Sequence, residues 1–284
     1  MNIEVNALTS IYHHRTPFEH TALNELTTTF EQGKYYAVIG RTGSGKSTLI
    51  QHLNGLILPT KGNVQVGDLM LKKKTKQKVI HQVKQHVGMV FQFPEHQLFD
   101  ETILKDVMFG PLNMGLSQAD AKERAEKYLS LLGVPLDQIE RSPFDLSGGQ
   151  MRKIAIAGIL AMEPEVLIVD EPTAGLDPKS HIETMKLFKQ IQEEYNITII
   201  LVTHDMNDVF EYTDEVKLLG SGKLIKEGRT LDILTDKELL TDHYLEIPDI
   251  VRLTHDVREK GVALGRMPRN TDEFISLYKE WRDR

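Results

Sequence analysis

The chain has no cysteine among its 284 residues, which excludes disulfides, thiolate chemistry and cysteine-ligated zinc. A reducing compartment suits such a chain. Long apolar runs are missing too. The longest, Val166–Val169 and Ile197–Val202, fall far short of the roughly 20 residues that a membrane-crossing helix needs. Work at a bilayer would therefore need spans from another chain. Met1–Ser10 has no basic stretch leading into an apolar one, so no signal peptide is expected. Positive charge is not in excess: 34 Lys and Arg stand against 41 Asp and Glu, a formal net charge of −7. That sign argues against nucleic acid as a partner bound through a global basic field. Internal repeats and low-complexity tracts are absent. What remains, 40% hydrophobic and 26% charged, is the make-up of a globular chain. Its length suits one large domain plus an appendage.

The order of patterns predicts an α/β fold. Residues 1–30 read as short strands with turns. Tyr35–Ile39 reads as an apolar strand running into a Gly-rich turn, with a helix from Lys46 to about Leu56. Further strands are expected at Asn63–Val66 and Val87–Phe91, with Lys72–Lys78 between them as a basic loop. Glu101–Leu132 turns helical; Ser117 opens its second helix, and Gly133 with Pro135 closes it. Ser147 opens a helix to about Ala161, with Gln150 at capping-box spacing. The aliphatic runs Val166–Val169 and Thr198–Val202 suit parallel strands buried on both faces. Asp177-Pro178 starts a helix that carries Ile182, Met185, Phe188 and Ile191 along one face. Leu224–Ile225 is the last expected strand. Residues 230–284 read as short helices forming a C-terminal extension.

Three segments carry chemistry. In Gly40-Arg41-Thr42-Gly43-Ser44-Gly45-Lys46-Ser47, with Thr48 next, the glycines let backbone N–H groups turn around phosphate oxygens. The helix that follows presents its positive end to them. Lys46 should reach the β- and γ-phosphates of ATP, and the Ser47 hydroxyl should bind Mg²⁺. The Val166–Val169 strand ends in Asp170 and Glu171. Asp170 suits the Mg²⁺ shell, and Glu171 suits the orientation or deprotonation of a water. Together these two segments mark a P-loop nucleoside triphosphatase. Ser147, Gly148, Gly149 and Gln150 then place two glycines at a helix N-terminus, a second phosphate-binding surface. One chain needs only one cradle, so the second implies a second chain, each capping the other's ATP head to tail.

The segment Leu146–Gln150 is the signature of ATP-binding cassette proteins, and residues 1–230 resemble the ABC ATPase family. The similarity is closer still to the ATPases of energy-coupling factor transporters, of the second type. It is carried by Thr16–Leu23 (TPFEHTAL), Gly40–Asn54, Phe91–Phe99 (FQFPEHQLF), Phe109–Asn113 (FGPLN), Gly149–Arg152 and Glu171–Pro178.

The resemblance implies an ABC nucleotide-binding domain over 1–229: a mostly parallel core sheet, an N-terminal antiparallel subdomain and an inserted helical subdomain at about 95–162. The extension at 230–284 carries apolar positions, Leu239, Leu240, Phe274, Leu277 and Trp281, that need a surface to cover them. Either the chain's own domain covers them or a second ATPase does, in which case the extension would serve dimerisation. The resemblance implies roles for single residues as well. Gln92 would sense Mg²⁺ and water, His204 would contact the γ-phosphate, and the loop ending at Asp177 would cross a dimer interface. Tyr12 would stack on adenine. The implied activity is ATP hydrolysis driving uptake of vitamins or other micronutrients. The implied partners are a homologous ATPase, a transmembrane coupling protein and a substrate-binding membrane protein, at the cytoplasmic face of the membrane. Lys153 departs from the family pattern, which commonly has Arg there; the charge is kept and the planar fork is lost. Cassette ATPases of DNA repair separate the loop from the signature by a long coiled coil, whereas here Ser47 and Ser147 lie close in sequence without heptads. Translation factors carry two cassettes per chain, and this chain has one phosphate loop. An ordinary binding-protein-dependent importer ATPase remains the alternative.

Overall fold

The computed structural model describes residues 1–13 and 15–283. Strands β1 (Ile3–Tyr12) and β2 (His20–Phe30) open the chain as a long antiparallel pair. They replace the expected short strands. Register shifts along β1, where Ala7 takes a φ of 45°, and Glu25 in β2 at 51°, break the period-2 alternation that marks a strand. β3 (Tyr35–Ile39), wholly buried, leads into helix α1 (Lys46–Leu53). α1 stops short of Leu56 because Gly55 turns left-handed at φ 73°. β4 (Lys61–Val66) and β5 (Leu69–Leu71) complete a sheet of order β2-β1-β4-β5.

Helix α2 (Gln77–His86) buries Ile80 and Val83. It corrects the expected basic loop: Lys72–Lys76 precede the helix, and Lys78 lies within it. β6 (Val87–Val90) follows. Next come the helices of the insert, α3 (Ile103–Asn113), α4 (Gln118–Leu131) and α5 (Gly148–Leu160). These pack Val107, Leu129 and Ile154 into one core with Phe188 and Ile191. The chain then runs through β7 (Val166–Asp170), α6 (Pro178–Tyr195), β8 (Thr198–Val202), α7 (Met206–Tyr212), β9 (Glu215–Gly220) and β10 (Lys223–Arg229). On α6, Met185, Phe188 and Ile191 are buried, but Ile182 is 50% exposed. That turn packs through its neighbour His181, which meets Asp208, and not through Ile182.

The second sheet has the order β10-β9-β3-β8-β7-β6. All of its pairs are parallel except β9 with β10. The C-terminal ends of β3, β8, β7 and β6 therefore share one edge, where open α/β sheets bind ligands.

The extension forms α8 (Thr230–Leu234), α9 (Lys237–Asp242), α10 (Asp249–Glu259) and α11 (Thr271–Arg282). Ile233, Leu234, Leu240 and Val251 share a buried core with Ala37, Ile39, Phe210 and Leu218. α11 buries none of its residues. Among the described residues, no helix is long and apolar enough to cross a membrane.

Candidate functional site

The loop after β3 owes its shape to its glycines. A side chain at Gly40 (φ 141°) would place a Cβ 2.2 Å from the Leu219 carbonyl oxygen. At Gly45 (φ 103°) it would meet Leu23 and the Ala22 carbonyl oxygen at 2.7 and 2.8 Å. Both positions combine a left-handed backbone with no room for Cβ, so glycine is required. Gly45 is also the N-cap of α1 and offers no side-chain cap. The first-turn N–H groups of α1 are thus left for an external acceptor. Lys46 Nζ donates to the carbonyl oxygens of Gly40 (2.6 Å) and Arg41 (3.1 Å), which braces the loop. Burial lowers the Lys46 pKa, opposed by the charges of Glu171 and Asp170. Ser44 Oγ is buried with no partner. Arg41, Thr42 and Gly43 are exposed and, with Ser44, line a cavity of about 270 Å³.

Asp170 ends β7. Burial and the neighbouring Glu171 charge push its pKa up to about 6, against the pull of Lys46. Glu171 takes a left-handed φ of 47°, and its N–H donates to the Val202 carbonyl oxygen at 2.8 Å. Such a backbone costs roughly 1–3 kcal/mol in a non-glycine residue; here it swings the carboxylate over to the end of β8. There Oε1 lies 2.9 Å from His204 Nδ1, and Oε2 accepts from Thr203 Oγ1 at 3.4 Å. The hydrogen bond to Glu171 raises the His204 pKa. His204 is otherwise open, its side chain 85% exposed. Gln92 is exposed just past β6, on the same sheet edge.

Two adjacent carboxylates share Lys46 as a nearby cation, and burial first, then the Glu171 charge, raises the Asp170 pKa. Asp170, the exposed Ser47 hydroxyl and the Gln92 amide are hard oxygen donors. Mg²⁺ therefore fits this donor set.

Tyr12 comes off the end of β1, and its hydroxyl lies 3.3 Å from Thr48 Oγ1 on α1. The structure thus brings Tyr12, Gly40–Thr48, Gln92, Asp170, Glu171 and His204 to one region.

It does not bring Ser147 there. Ser147 and Gln150 close a capping box at the start of α5. Ser147 N–H donates to Gln150 Oε1 at 3.1 Å, and Gln150 N–H donates to Ser147 Oγ at 3.4 Å. The box satisfies the N-cap and third helical N–H groups. The two in between, on Gly148 and Gly149, have no intrahelical acceptor. A Cβ at either glycine would meet nothing within 4 Å, so both face open space. Asp177 caps α6, accepting from the N–H groups of Lys179 (3.0 Å) and Ser180 (3.1 Å) and from Ser180 Oγ (2.6 Å). Those bonds lower its pKa.

Two contacts escaped the sequence reading. Arg152 is 5% exposed and forks onto Glu95, with Nε–Oε2 and Nη2–Oε1 both 2.9 Å. Its Nη1 donates to the carbonyl oxygens of Pro172 (3.3 Å) and Ala174 (3.1 Å). The planar fork missing at Lys153 is therefore present one residue earlier. The second is His181 on α6, which pairs with Asp208 on α7. Both join residues far apart in sequence and leave no local signal.

Comparison with known proteins gives the family of the chain. The family described as ABC transporter matches residues 23–174. The energy-coupling factor transporter ATP-binding protein EcfA2 of Staphylococcus saprophyticus is 48% identical over 284 residues, covering 100% of this chain and 99% of that protein. EcfA2 of Staphylococcus aureus is 46% identical over 283 residues, covering 99% of each. Among solved structures, cbiO1 of Clostridium perfringens, described as part of the ABC transporter complex cbiONQ, superposes with a TM-score of 0.73. It is 36% identical, covering 89% of this chain and 98% of its own. The ATP-binding cassette MJ0796, a dimer in a post-hydrolysis state with ADP and Pi, gives 0.70 at 27% identity, covering 80% of this chain and 98% of its own.

Proposed function

The chain belongs to the ABC transporter family and is an ATP-binding, ATP-hydrolysing subunit of a transporter of the energy-coupling factor type; from that membership we propose how its residues divide the work. ATP phosphates lie on the N–H groups of Gly40–Ser47 and the start of α1, with Lys46 at the β- and γ-phosphates and Tyr12 against adenine. Mg²⁺, held through Ser47, Asp170 and Gln92, would screen the phosphate charge. Glu171 accepts a proton from a water, whose oxygen attacks the γ-phosphorus. The bond from that phosphorus to the bridging oxygen breaks, leaving ADP and inorganic phosphate. His204 holds the Glu171 carboxylate in place and faces the γ-phosphate.

The observation that carries this reading is the Glu171–His204 contact of 2.9 Å, set beside the phosphate loop by adjacent parallel strands. Glu171→Gln in the assembled transporter should keep ATP binding and lose roughly 10²–10⁴-fold in turnover, the usual worth of a general base. Near-normal hydrolysis would sink the assignment.

The open glycine N–H groups of Gly148 and Gly149, remote from the chain's own phosphate loop, support a composite site. Ser147 and its helix end would cap the ATP of a homologous ATPase subunit, with the Asp177 loop at the shared interface. The division at 229/230 assigns chemistry to the first part and dimerisation to the extension. The half-covered side chains of Phe274, Leu277 and Trp281 on α11 support that role. A transmembrane coupling protein would dock in the apolar groove of about 330 Å³ between α2, α3 and α5. Phe99 and Phe109 line that groove edge to face, 57% and 48% exposed. A separate membrane protein would bind the vitamin or other micronutrient. The chain then sits peripherally on the cytoplasmic face of the membrane. Co-purification of a second cassette ATPase and two membrane proteins tests these partners and separates this reading from an ordinary binding-protein-dependent importer.

A further inference from the structure

Two loops flank Glu171. Ala174–Asp177 leads into α6, and Thr203–Asp205 leads into α7. One half-buried contact fastens the helices behind them. His181, in the first turns of α6, places Nε2 2.9 Å from Oδ1 and 2.8 Å from Oδ2 of Asp208 on α7. Each partner is tied to its own loop. His181 N–H donates to the Asp177 carbonyl oxygen at 2.9 Å. Asp205, next to His204, caps the N–H groups of Asn207 (2.8 Å) and Asp208 (3.2 Å).

The environment of Asp208 makes the contact consequential. Asp208 is only 7% exposed. Burial pushes its pKa up to about 6, while His181 pulls the other way. The other titratable groups facing it are Asp205, Glu211 and Tyr212 on its own segment and Tyr35 on β3. None of these is a cation, and His181 is the side chain from another element that hydrogen-bonds the carboxylate. A buried carboxylate stripped of its partner is strongly unfavourable. Losing His181 would therefore leave the start of α7 to shift, take in water or bind a proton at Asp208. His204 immediately precedes that turn.

We propose that His181 is a positioning residue: its contact with Asp208 locks the start of α6 to the start of α7 and so sets His204 against Glu171. His181 itself touches neither the phosphate loop nor Glu171. The proposal rests on the roles given above to Glu171 and His204. It predicts that the effect falls on turnover rather than on nucleotide affinity, because Lys46 and its loop lie on other elements.

The test uses the full chain assembled with its transporter partners. His181→Ala is expected to lower kcat roughly ten- to a hundredfold, the scale of a small misplacement, with KM and ATP affinity unchanged. His181→Arg keeps an N–H donor that can reach the carboxylate and should recover most of the turnover. Asp208→Asn, which keeps the shape and removes the charge, should give an intermediate loss of kcat. Unchanged kcat in His181→Ala overturns the proposal. So does a loss of ATP affinity in step with kcat, or a failure of His181→Arg to recover turnover while ATP still binds. Glu171→Gln runs in parallel. If that variant still hydrolyses ATP, the functional reading itself has failed; if it does not, a null result at His181 counts against the lock alone.

Discussion

The Arg152 guanidinium joins three separate segments through one buried group: Glu95 after β6, α5 behind the signature turn, and the Pro172–Ala174 backbone that follows Glu171. Burial alone would raise the Glu95 pKa, but the hydrogen bonds and charge of Arg152 hold it below the ordinary glutamate value. The pair is thus ionised and mutually satisfied. Breaking such a pair by removing one partner typically costs about 3–5 kcal/mol. Arg152→Ala should lose stability on that scale in chemical denaturation. Arg152→Lys should recover only part of it, since one ammonium cannot bond both carboxylate oxygens and two carbonyls in plane. A loss under about 1 kcal/mol for Arg152→Ala would mean the fork is incidental.

Asp170 predicts an inverse effect on stability. Its pKa in the folded chain is raised from 3.8 to about 6 by burial and by Glu171. A carboxyl group with a raised folded pKa favours folding below its unfolded pKa, and that advantage is lost as pH rises through the folded value. At neutral pH the ionised Asp170 therefore works against the nucleotide-free fold. Asp170→Asn should raise the Tm at pH 7 by about 2–5 °C, and the gain should vanish near pH 4. Scanning calorimetry across that range checks it, and an equal gain at both pH values would contradict the electrostatic cause.

A composite site predicts defects in trans. Lys46→Ala should lose ATP affinity, since the lysine meets phosphate in the ground state. Pairing a Lys46→Ala chain with a partner ATPase that lacks its own signature serine then concentrates both defects at one shared site and leaves the other intact. A pair in which a single chain carries both has one defect at each. Different turnover from these two arrangements is expected. Identical turnover, or full hydrolysis by a lone chain, would rule the shared site out.

The last helix offers a test of pairing that spares the fold. Truncation after Gly228 would uncover Ala37, Ile39 and Leu218 as well as remove α11, because Ile233, Leu240 and Val251 belong to their core. Substituting Phe274 and Trp281 with Ser on α11 avoids that, since neither is buried. Nucleotide-free association with the partner ATPase should weaken at least roughly tenfold, as when aromatic anchors are lost from an interface. Sedimentation of the pair without ATP measures it. An unchanged dimer fraction would place the contact elsewhere.

Local chemistry explains which of these parts could be read from the sequence. Tyr35–Ile39 and Thr198–Val202 match β3 and β8 end for end because a strand buried on both faces is a nearly continuous apolar run. Ser117, Ser147 and Asp177 marked helix starts because each side chain caps a backbone three residues on or fewer. The phosphate loop, Asp170, Glu171 and the signature turn are likewise local patterns. The rest depended on packing. Nothing in the spelling of Ile182 says that its turn packs through His181 instead. Bulges hid the length of β1 and β2, and Ile80 with Val83 turned part of a basic run into α2. Arg152 and Glu95, or His181 and Asp208, meet only once the chain has folded, so no window of sequence contains either pair.

The capping box at the head of α5 has a kinetic consequence. Ser147 and Gln150 tie down the turn with their own side chains, leaving the Gly148 and Gly149 N–H groups without an intrahelical acceptor on a helix already formed. In the composite site proposed above, a partner subunit carrying ATP would meet a finished surface and order no loop on arrival. The closing rate should then follow how often the two subunits collide in register, and mutations that leave the box intact should act on how long the closed pair lasts.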